Sequence, residues 1–169
     1  ARARWNAGVV GEVWPVQFIA RAEGAGRGIQ LGEIVLRQAC RDIRDFGRLS
    51  LAINVSAVQL GEPDFGPRIL AVLAEEDFPP SRLELELTET SVMNANETSL
   101  SHLATLRKAG VKISLDDFGT GYSSLSLLKD ISVDSVKIDR SFVQYVTEVN
   151  DTAAIVSAVS QRGNKMHLN

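Results

Sequence analysis

Four short segments of the chain alternate apolar and polar residues, and stretches with helical spacing separate them. Strands separated by helices predict βαβ units, whose strands pair as a parallel sheet. A parallel sheet with helices on both faces has continuously apolar strands, so the polar face of these segments conflicts with that arrangement. A (β/α) barrel removes the conflict because its helices cover only the outer, apolar face. We therefore predict an α/β chain that forms an incomplete TIM-like (β/α) barrel, with parallel strands alternating with outer helices.

The predicted elements follow one another without a linker that would divide the chain. Its 169 residues are enough for one ordinary domain. Gly110 stands where a helix would end, because glycine readily takes the left-handed conformation that closes many helices. The predicted strands are residues 51–57, 83–89, 111–117 and 133–139, and the predicted helices are residues 16–25, 29–46, 67–76, 96–109, 123–129 and 151–165.

Polar side chains collect near the carboxyl ends of the predicted strands, where a (β/α) barrel carries its active site. These residues are Asn54, Glu86, Asp116 and Lys137, and Asp117 follows directly. Amide and carboxylate oxygens are ligands of Mg²⁺ or Mn²⁺, and several carboxylates in one mouth would hold two ions. Two such ions activate water and stabilise the charged oxygens when a phosphodiester is hydrolysed. The lysine would balance the carboxylates, orient water or stabilise an oxyanion.

Each of these residues also has a purely structural explanation. The Asp pair opens the segment DDFGTGYSSL (116–125), which is also typical of a solvated turn before a helix capped by Ser123 or Ser124. Asn54 alone is typical of a strand-end cap, and Lys137 alone is typical of a surface lysine. The presence of all these polar residues near the strand ends favours the functional interpretation, because one barrel register must place their side chains in the interior together.

Composition excludes several classes of protein. The formal net charge of −3 predicts no general attraction to nucleic acid or to an anionic membrane. The single Cys40 excludes an internal disulfide and suits a reducing compartment. No apolar run reaches the roughly 20 residues of a membrane-spanning helix. We therefore expect a cytoplasmic segment without nucleic-acid or membrane contacts, with any membrane anchor on another domain.

Five motifs resemble those of the EAL family, the bacterial phosphodiesterases that open cyclic di-GMP. They occur in the family's order and spacing across nearly the whole chain, and the Asp-Asp motif is highly specific. The motifs are FIARAE (18–23), NVS (54–56), ELTE (86–89), DDFGTGYSSL (116–125) and KIDRSF (137–142). The resemblance implies that residues 1–169 are a partial EAL domain. The parent enzyme would hydrolyse cyclic di-GMP to linear pGpG in bacterial second-messenger signalling.

The resemblance also implies a role for each matching residue. The implied ligands of two Mg²⁺ or Mn²⁺ ions are Asn54, Glu86, Asp116 and Asp117. Lys137 would position the attacking water, and Glu89 would steady the loop that follows the Asp pair. Arg4 would contact a phosphate of the substrate, and Asp139 would lie near the guanine end of the pocket.

The resemblance places parts of the family's site beyond both ends of the chain. Alignment of Ala1 with the alanine of the Glu-Ala-Leu signature puts the metal-binding glutamate before residue 1, and Arg2 stands where leucine is usual. The last catalytic glutamates and the remaining barrel strands would follow Asn169. We therefore expect residues 1–169 alone to be inactive, because a site without all its ligands loses metal affinity and positioning.

The expected partners are cyclic di-GMP, a second copy of the chain bound through the loop after Asp117, and fused regulatory or diguanylate-cyclase (GGDEF-like) domains. Two other functions remain open. A degenerate EAL domain would sense cyclic di-GMP or bind a partner protein without catalysis, which the departure at Arg2 motivates. A different metal-using barrel hydrolase is the other alternative. The residue before Ala1 would discriminate, because a non-acidic residue there favours the sensor.

Overall fold

The computed structural model describes residues 5–6, 12–118 and 133–138 of the chain. A short 3₁₀ helix, Pro80–Arg82, precedes the fourth strand. In chain order the strands and α-helices are β1 (Trp5–Asn6), β2 (Glu12–Val13), α1 (Pro15–Gly24), α2 (Gly28–Ile43), β3 (Leu51–Val55), α3 (Ala57–Leu60), α4 (Phe65–Glu75), β4 (Leu83–Thr88), α5 (Glu89–Met93), α6 (Glu97–Lys108), β5 (Lys112–Phe118) and β6 (Ser135–Ile138).

The main sheet has four parallel strands in the order β3-β4-β5-β6, which is also their order along the chain. Helices connect β3 to β4 and β4 to β5, as the sequence predicts. A closed barrel of this kind has eight strands, so the described residues form part of one and leave it incomplete. The first two strands are separate from this sheet and pair with each other as an antiparallel hairpin, which the sequence pattern did not predict.

The apolar faces of the strands form the core beneath the outer helices. Leu85 on β4 is fully buried and lies opposite Ile53 on one side and Ile113 on the other. The helices supply buried partners to the same cluster, among them Leu36 of α2 and Leu106 of α6. Alternation along each strand thus sends the apolar side chains toward the helices, and it leaves the opposite face for polar residues.

Capping residues determine where several elements end. The predicted strands 51–57 and 83–89 stop at Val55 and Thr88, because Ser56 and Thr88 cap the short helices α3 and α5. The sequence pattern did not predict these two helices. Gly110 does follow α6 with a φ of 101°, so its predicted place at the helix end is confirmed. The helices predicted at 123–129 and 151–165 lie outside the described residues.

None of the helices in the described ranges combines the length and apolarity that crossing a bilayer requires.

Candidate active site at the ends of the parallel strands

The parallel register brings the predicted ligands of neighbouring strands next to each other. Asn54 on β3 is opposite Glu86 on β4, and Thr88 on β4 is opposite Asp116 on β5. These residues share the polar face near the carboxyl ends of their strands, because they alternate with apolar residues that face the helices. Asn54 is exposed, whereas the Glu86 side chain is only 12% exposed.

A bulge in β5 interrupts the regular strand geometry at Asp116 and Asp117. Leu115 is opposite Val136, but Phe118 is opposite Ile138, so β5 contains one more residue than β6 between these pairs. Asp117 has a φ of 55°, and its backbone N–H donates to Asp116 Oδ1 at 3.1 Å. Successive residues of a regular strand point to opposite faces, and a bulge re-aims one of them. Positive φ at a non-glycine residue is uncommon, and such strain is found at functional sites.

Lys137 on β6 supplies the positive charge at this face. Its Nζ forms an ion pair and a hydrogen bond with Glu86 Oε1, and Glu84 Oε1 lies 3.5 Å from the same nitrogen. The hydrogen bond to Glu86 is the main reason that the pKa of Lys137 is raised above its ordinary value, and the charges of Glu86, Glu84 and Asp116 add to it. The ammonium therefore stays protonated among these carboxylates at neutral pH.

Glu89 lies beside this face but in a different setting. It is the first residue of α5 and is only 5% exposed. Thr88 caps the helix by accepting a hydrogen bond from the Ser91 N–H at 3.2 Å, and the two hydroxyl groups are 2.8 Å apart. The capped turn fixes the backbone that carries Glu89 directly after β4. Its predicted contact with the loop after the Asp pair stays a prediction, because residues 119–124 lie outside the described ranges.

The donor chemistry of the strand ends fits an oxygen-preferring cation such as Mg²⁺ or Mn²⁺. One amide and three carboxylates come from three neighbouring strands, on the edge where their carboxyl ends meet. In the ranges that the structure describes, no three Asp, Glu, His or Cys side chains are grouped closely enough to hold an ion. Glu86 is instead engaged by the ammonium of Lys137. The acids thus hold a cationic group, and a metal ion at Glu86 would compete with the lysine.

The two predicted substrate-binding residues cannot be placed on this face. Arg4 and Asp139 lie outside the described residues, as do residues 119–124 of the loop after Asp117 that is predicted to form the dimer contact. The face also contains residues that the sequence reasoning did not single out. Glu84 is one, and the alternation that placed Glu86 inside would have identified it too.

Gln59 is the second residue that the sequence reasoning missed. Its backbone N–H donates to the Ser56 hydroxyl at 3.3 Å, and its side-chain Oε1 accepts from the Ser56 N–H at 3.1 Å. This reciprocal pair is a capping box at the start of α3, two residues after Asn54. The spacing Ser-x-x-Gln is the sequence signal for it.

A cavity of about 910 Å³ lies beside the acidic cluster. Asn54, Ser56 and Gln59 contribute to its lining, but most of the wall is apolar, with Ile53 and Leu85 among the lining residues. Glu86, Asp116 and Lys137 are not part of the wall. The cavity is therefore distinct from the cluster that carries the charge.

Comparison with known proteins gives a consistent result over the whole chain. The family described as "EAL domain" matches residues 1–169. The bifunctional diguanylate cyclase/cyclic di-GMP phosphodiesterase MucR of Pseudomonas aeruginosa is 40% identical over 173 residues, which cover 99% of this chain and 25% of MucR. The cyclic di-GMP phosphodiesterase NbdA of the same organism is 36% identical over 173 residues, 99% of this chain and 22% of NbdA.

A solved structure agrees with these relatives. The PaMucR phosphodiesterase in its c-di-GMP complex superposes with a TM-score of 0.85 at 40% identity, covering 99% of this chain and 70% of that one. The chain spans only about a quarter of the length of the curated relatives that it matches.

Proposed function

The chain belongs to the EAL domain family, and from this membership we propose that it forms part of a metal-dependent phosphodiesterase domain that hydrolyses cyclic di-GMP to linear pGpG. The observation that carries the proposal is the contact of Lys137 with Glu86, beside Asp116, at the carboxyl ends of the parallel strands. Opposite charges gathered at this edge suit the hydrolysis of a phosphodiester. The relatives MucR and NbdA are both named as cyclic di-GMP phosphodiesterases.

In this proposal the strand-end oxygens hold Mg²⁺ or Mn²⁺, as two ions. The residues that would hold them are Asn54, Glu86, Asp116 and Asp117. When bound, the ions supply Lewis-acid polarisation of the phosphate and activation of a water molecule. The raised pKa of Lys137 keeps its side chain a hydrogen-bond donor, so it orients the water or stabilises charge on the phosphate oxygens.

The remaining residue roles belong to the same proposal. Arg4 contacts a substrate phosphate, which suits the bidentate geometry of a guanidinium group. Asp139 lies near the guanine end of the pocket, one residue past the end of β6. Glu89 steadies the loop after the Asp pair from its buried place at the start of α5.

We also propose a cytoplasmic, homodimeric protein in which this domain is fused to regulatory or diguanylate-cyclase-like domains. The name of MucR, a bifunctional diguanylate cyclase and phosphodiesterase, supports such a fusion. The dimer would use the loop after Asp117.

Turnover of cyclic di-GMP with Mg²⁺ or Mn²⁺, followed by chromatography of pGpG, tests the proposal. The assay compares residues 1–169 with a protein in which they are extended to a whole EAL domain. We expect product from the extended protein only, and its loss in Lys137→Ala. Lys108→Ala is the matched control, because Lys108 is an exposed lysine at the end of α6. Binding of cyclic di-GMP without turnover would contradict catalysis and favour the sensor.

A further inference from the structure

Gln59 joins three segments that surround the strand end carrying Asn54. Its side-chain oxygen accepts a hydrogen bond from the Ser56 N–H at 3.1 Å, and its side-chain nitrogen donates one to the Gly28 carbonyl at 3.2 Å. The first bond belongs to the turn from β3 into α3, and the second reaches the first residue of α2. One amide group thus ties the exit of β3 to the neighbouring helix.

Gly32 makes room for this amide. A Cβ atom at position 32 would lie 2.1 Å from Gln59 Nε2 and 3.3 Å from its Cδ. No real Cβ approaches a neighbour that closely, so any side chain at position 32 would displace Gln59. The glycine lies one turn after Gly28 on α2, and its place in the helix has a steric reason that is independent of the hydrogen bonds.

The strand end that carries Asn54 pairs with β4, where Asn54 lies opposite Glu86. Asn54 is exposed and is the last but one residue of β3, two residues before the capping serine. Its backbone is held by β4 on one side, and Gln59 holds the segment immediately after it.

We propose that Gln59 is a positioning residue, which fixes the turn after β3 and thereby aims the Asn54 amide at the metal site. This inference rests on the proposed function, because it takes Asn54 as a ligand. Mutation of a residue that orients a metal ligand, without itself binding the metal, typically weakens metal affinity about 10–100-fold. The effect of Gln59 passes through the backbone of residues 54–56, so it is visible without metal.

The test is a double-mutant cycle of Gln59→Ala and Gly32→Ala in the EAL domain that carries these residues. Mn²⁺ affinity is measured by calorimetry, and hydrogen exchange of the backbone amides of residues 54–57 is measured on the metal-free protein. We expect Gln59→Ala to weaken Mn²⁺ binding about tenfold and to speed exchange. Gly32→Ala should have the same effect, because its methyl group displaces the same amide.

The double variant distinguishes positioning from simple loss of stability. Once Gln59 is alanine, the methyl group at position 32 has space, so adding Gly32→Ala should weaken binding no further. Gln38→Ala is the control: Gln38 is also on α2, and its side chain bonds Asp42 on the exposed surface. Full additivity of the two changes, or a lower melting temperature with unchanged Mn²⁺ affinity, would overturn the proposal.

Failure of the proposed function would give a different result. A wild-type domain that binds no Mn²⁺ and turns over no cyclic di-GMP would count against the metal site itself. The exchange measurement still tests the positioning in that case, because it uses metal-free protein. Unchanged exchange at residues 54–57 in Gln59→Ala would overturn the role of Gln59 whatever the activity.

Discussion

Lys137 and Glu86 form an ion pair across an intervening strand. Glu86 is on β4 and Lys137 on β6, and β5 lies between them in the sheet. Ser114, which is opposite Glu86 in the β4–β5 register, is fully buried on that middle strand. The pair therefore covers a polar residue, and it connects strands that share no backbone hydrogen bonds.

The hydroxyl of Ser114 gives the first prediction. Its Oγ has no hydrogen-bond partner in the described part of the chain, and a buried unsatisfied group costs about 1–3 kcal/mol. Ser114→Ala should therefore be neutral or raise the free energy of unfolding by about 1 kcal/mol, as measured by urea denaturation. Ser99→Ala is the matched control with the opposite expectation. Its buried Oγ donates to the Leu60 carbonyl at 3.1 Å, so its loss should destabilise the fold.

A clear destabilisation by Ser114→Ala, equal to that of Ser99→Ala, would contradict this prediction. It would show that Ser114 forms a hydrogen bond in solution.

The backbone of Asp117 gives the second prediction. At a φ of 55°, glycine is free of the Cβ clash that alanine suffers, so Asp117→Gly should be about 1 kcal/mol more stable than Asp117→Ala. At Asp116, which has no positive φ, the order should reverse because glycine weakens a strand. In the whole EAL domain, both variants at position 117 should also lose Mn²⁺ affinity, as measured by calorimetry. Equal stability of glycine and alanine at position 117 would refute the strained conformation.

Arg82 gives the third prediction, because it closes the end of α2. Its guanidinium donates to the carbonyls of Ile43 at 2.8 Å, Phe46 at 2.9 Å and Leu49 at 2.9 Å. An ammonium group cannot reproduce this planar set of bonds, so Arg82→Lys should cost about 1–2 kcal/mol in chemical denaturation.

The matched control for this change is Arg48→Lys, which alters an exposed arginine in the adjoining loop. In the whole EAL domain, hydrolysis by Arg82→Lys should be retained at temperatures where the variant is folded, because Arg82 precedes β4 and Glu86 lies near the other end of that strand. Loss of activity in the folded variant would show that the two ends of the strand are coupled.

Glu76 gives the fourth prediction, on pH. It is 4% exposed, and the guanidinium of Arg41 donates hydrogen bonds to both of its carboxylate oxygens, at 2.7 and 2.8 Å. This hydrogen bonding to Arg41 is the main reason that the pKa of Glu76 lies below its ordinary 4.5. A lowered pKa stabilises the fold at pH values above the unfolded pKa, and this contribution is lost as the pH falls through the lower pKa of the folded state.

Urea midpoints of wild type and Glu76→Gln should therefore differ most near neutral pH and converge in acid. Glu75→Gln changes the neighbouring exposed carboxylate and should show much less convergence. A constant difference between wild type and Glu76→Gln at all pH values would show that the charge of Glu76 does not contribute.

The sequence predicts the layers of this fold better than the turns that connect them. Alternation at Leu83, Leu85 and Leu87 is a local pattern, and burial on one face follows from it directly. The short helices α3 and α5 escaped prediction because the alternation continues through Ser56 and Thr88, where side-chain capping bonds compete with strand pairing.

In the candidate site, too, the features that follow from local patterns were predictable and those that depend on distant contacts were not. Neighbouring strands in register bring Asn54 beside Glu86, so their proximity is foreseeable once the sheet is known to be parallel. The positive φ of Asp117 is not foreseeable, because the bulge depends on how β5 pairs with β6. The place of Gln59 depends on a helix that comes earlier in the chain, and no local pattern reports a contact with Gly28.

The ion pair of Lys137 also bears on how such a domain would mature. Acids that are paired with a lysine in the folded sheet repel one another less, so the fold does not need a metal ion to offset the charge of Glu86. Metal binding would then be an exchange in the folded protein, in which the metal ion replaces the ammonium of Lys137 at Glu86. Under the proposed function, the occupancy of the site would follow the metal supply of the cell after synthesis.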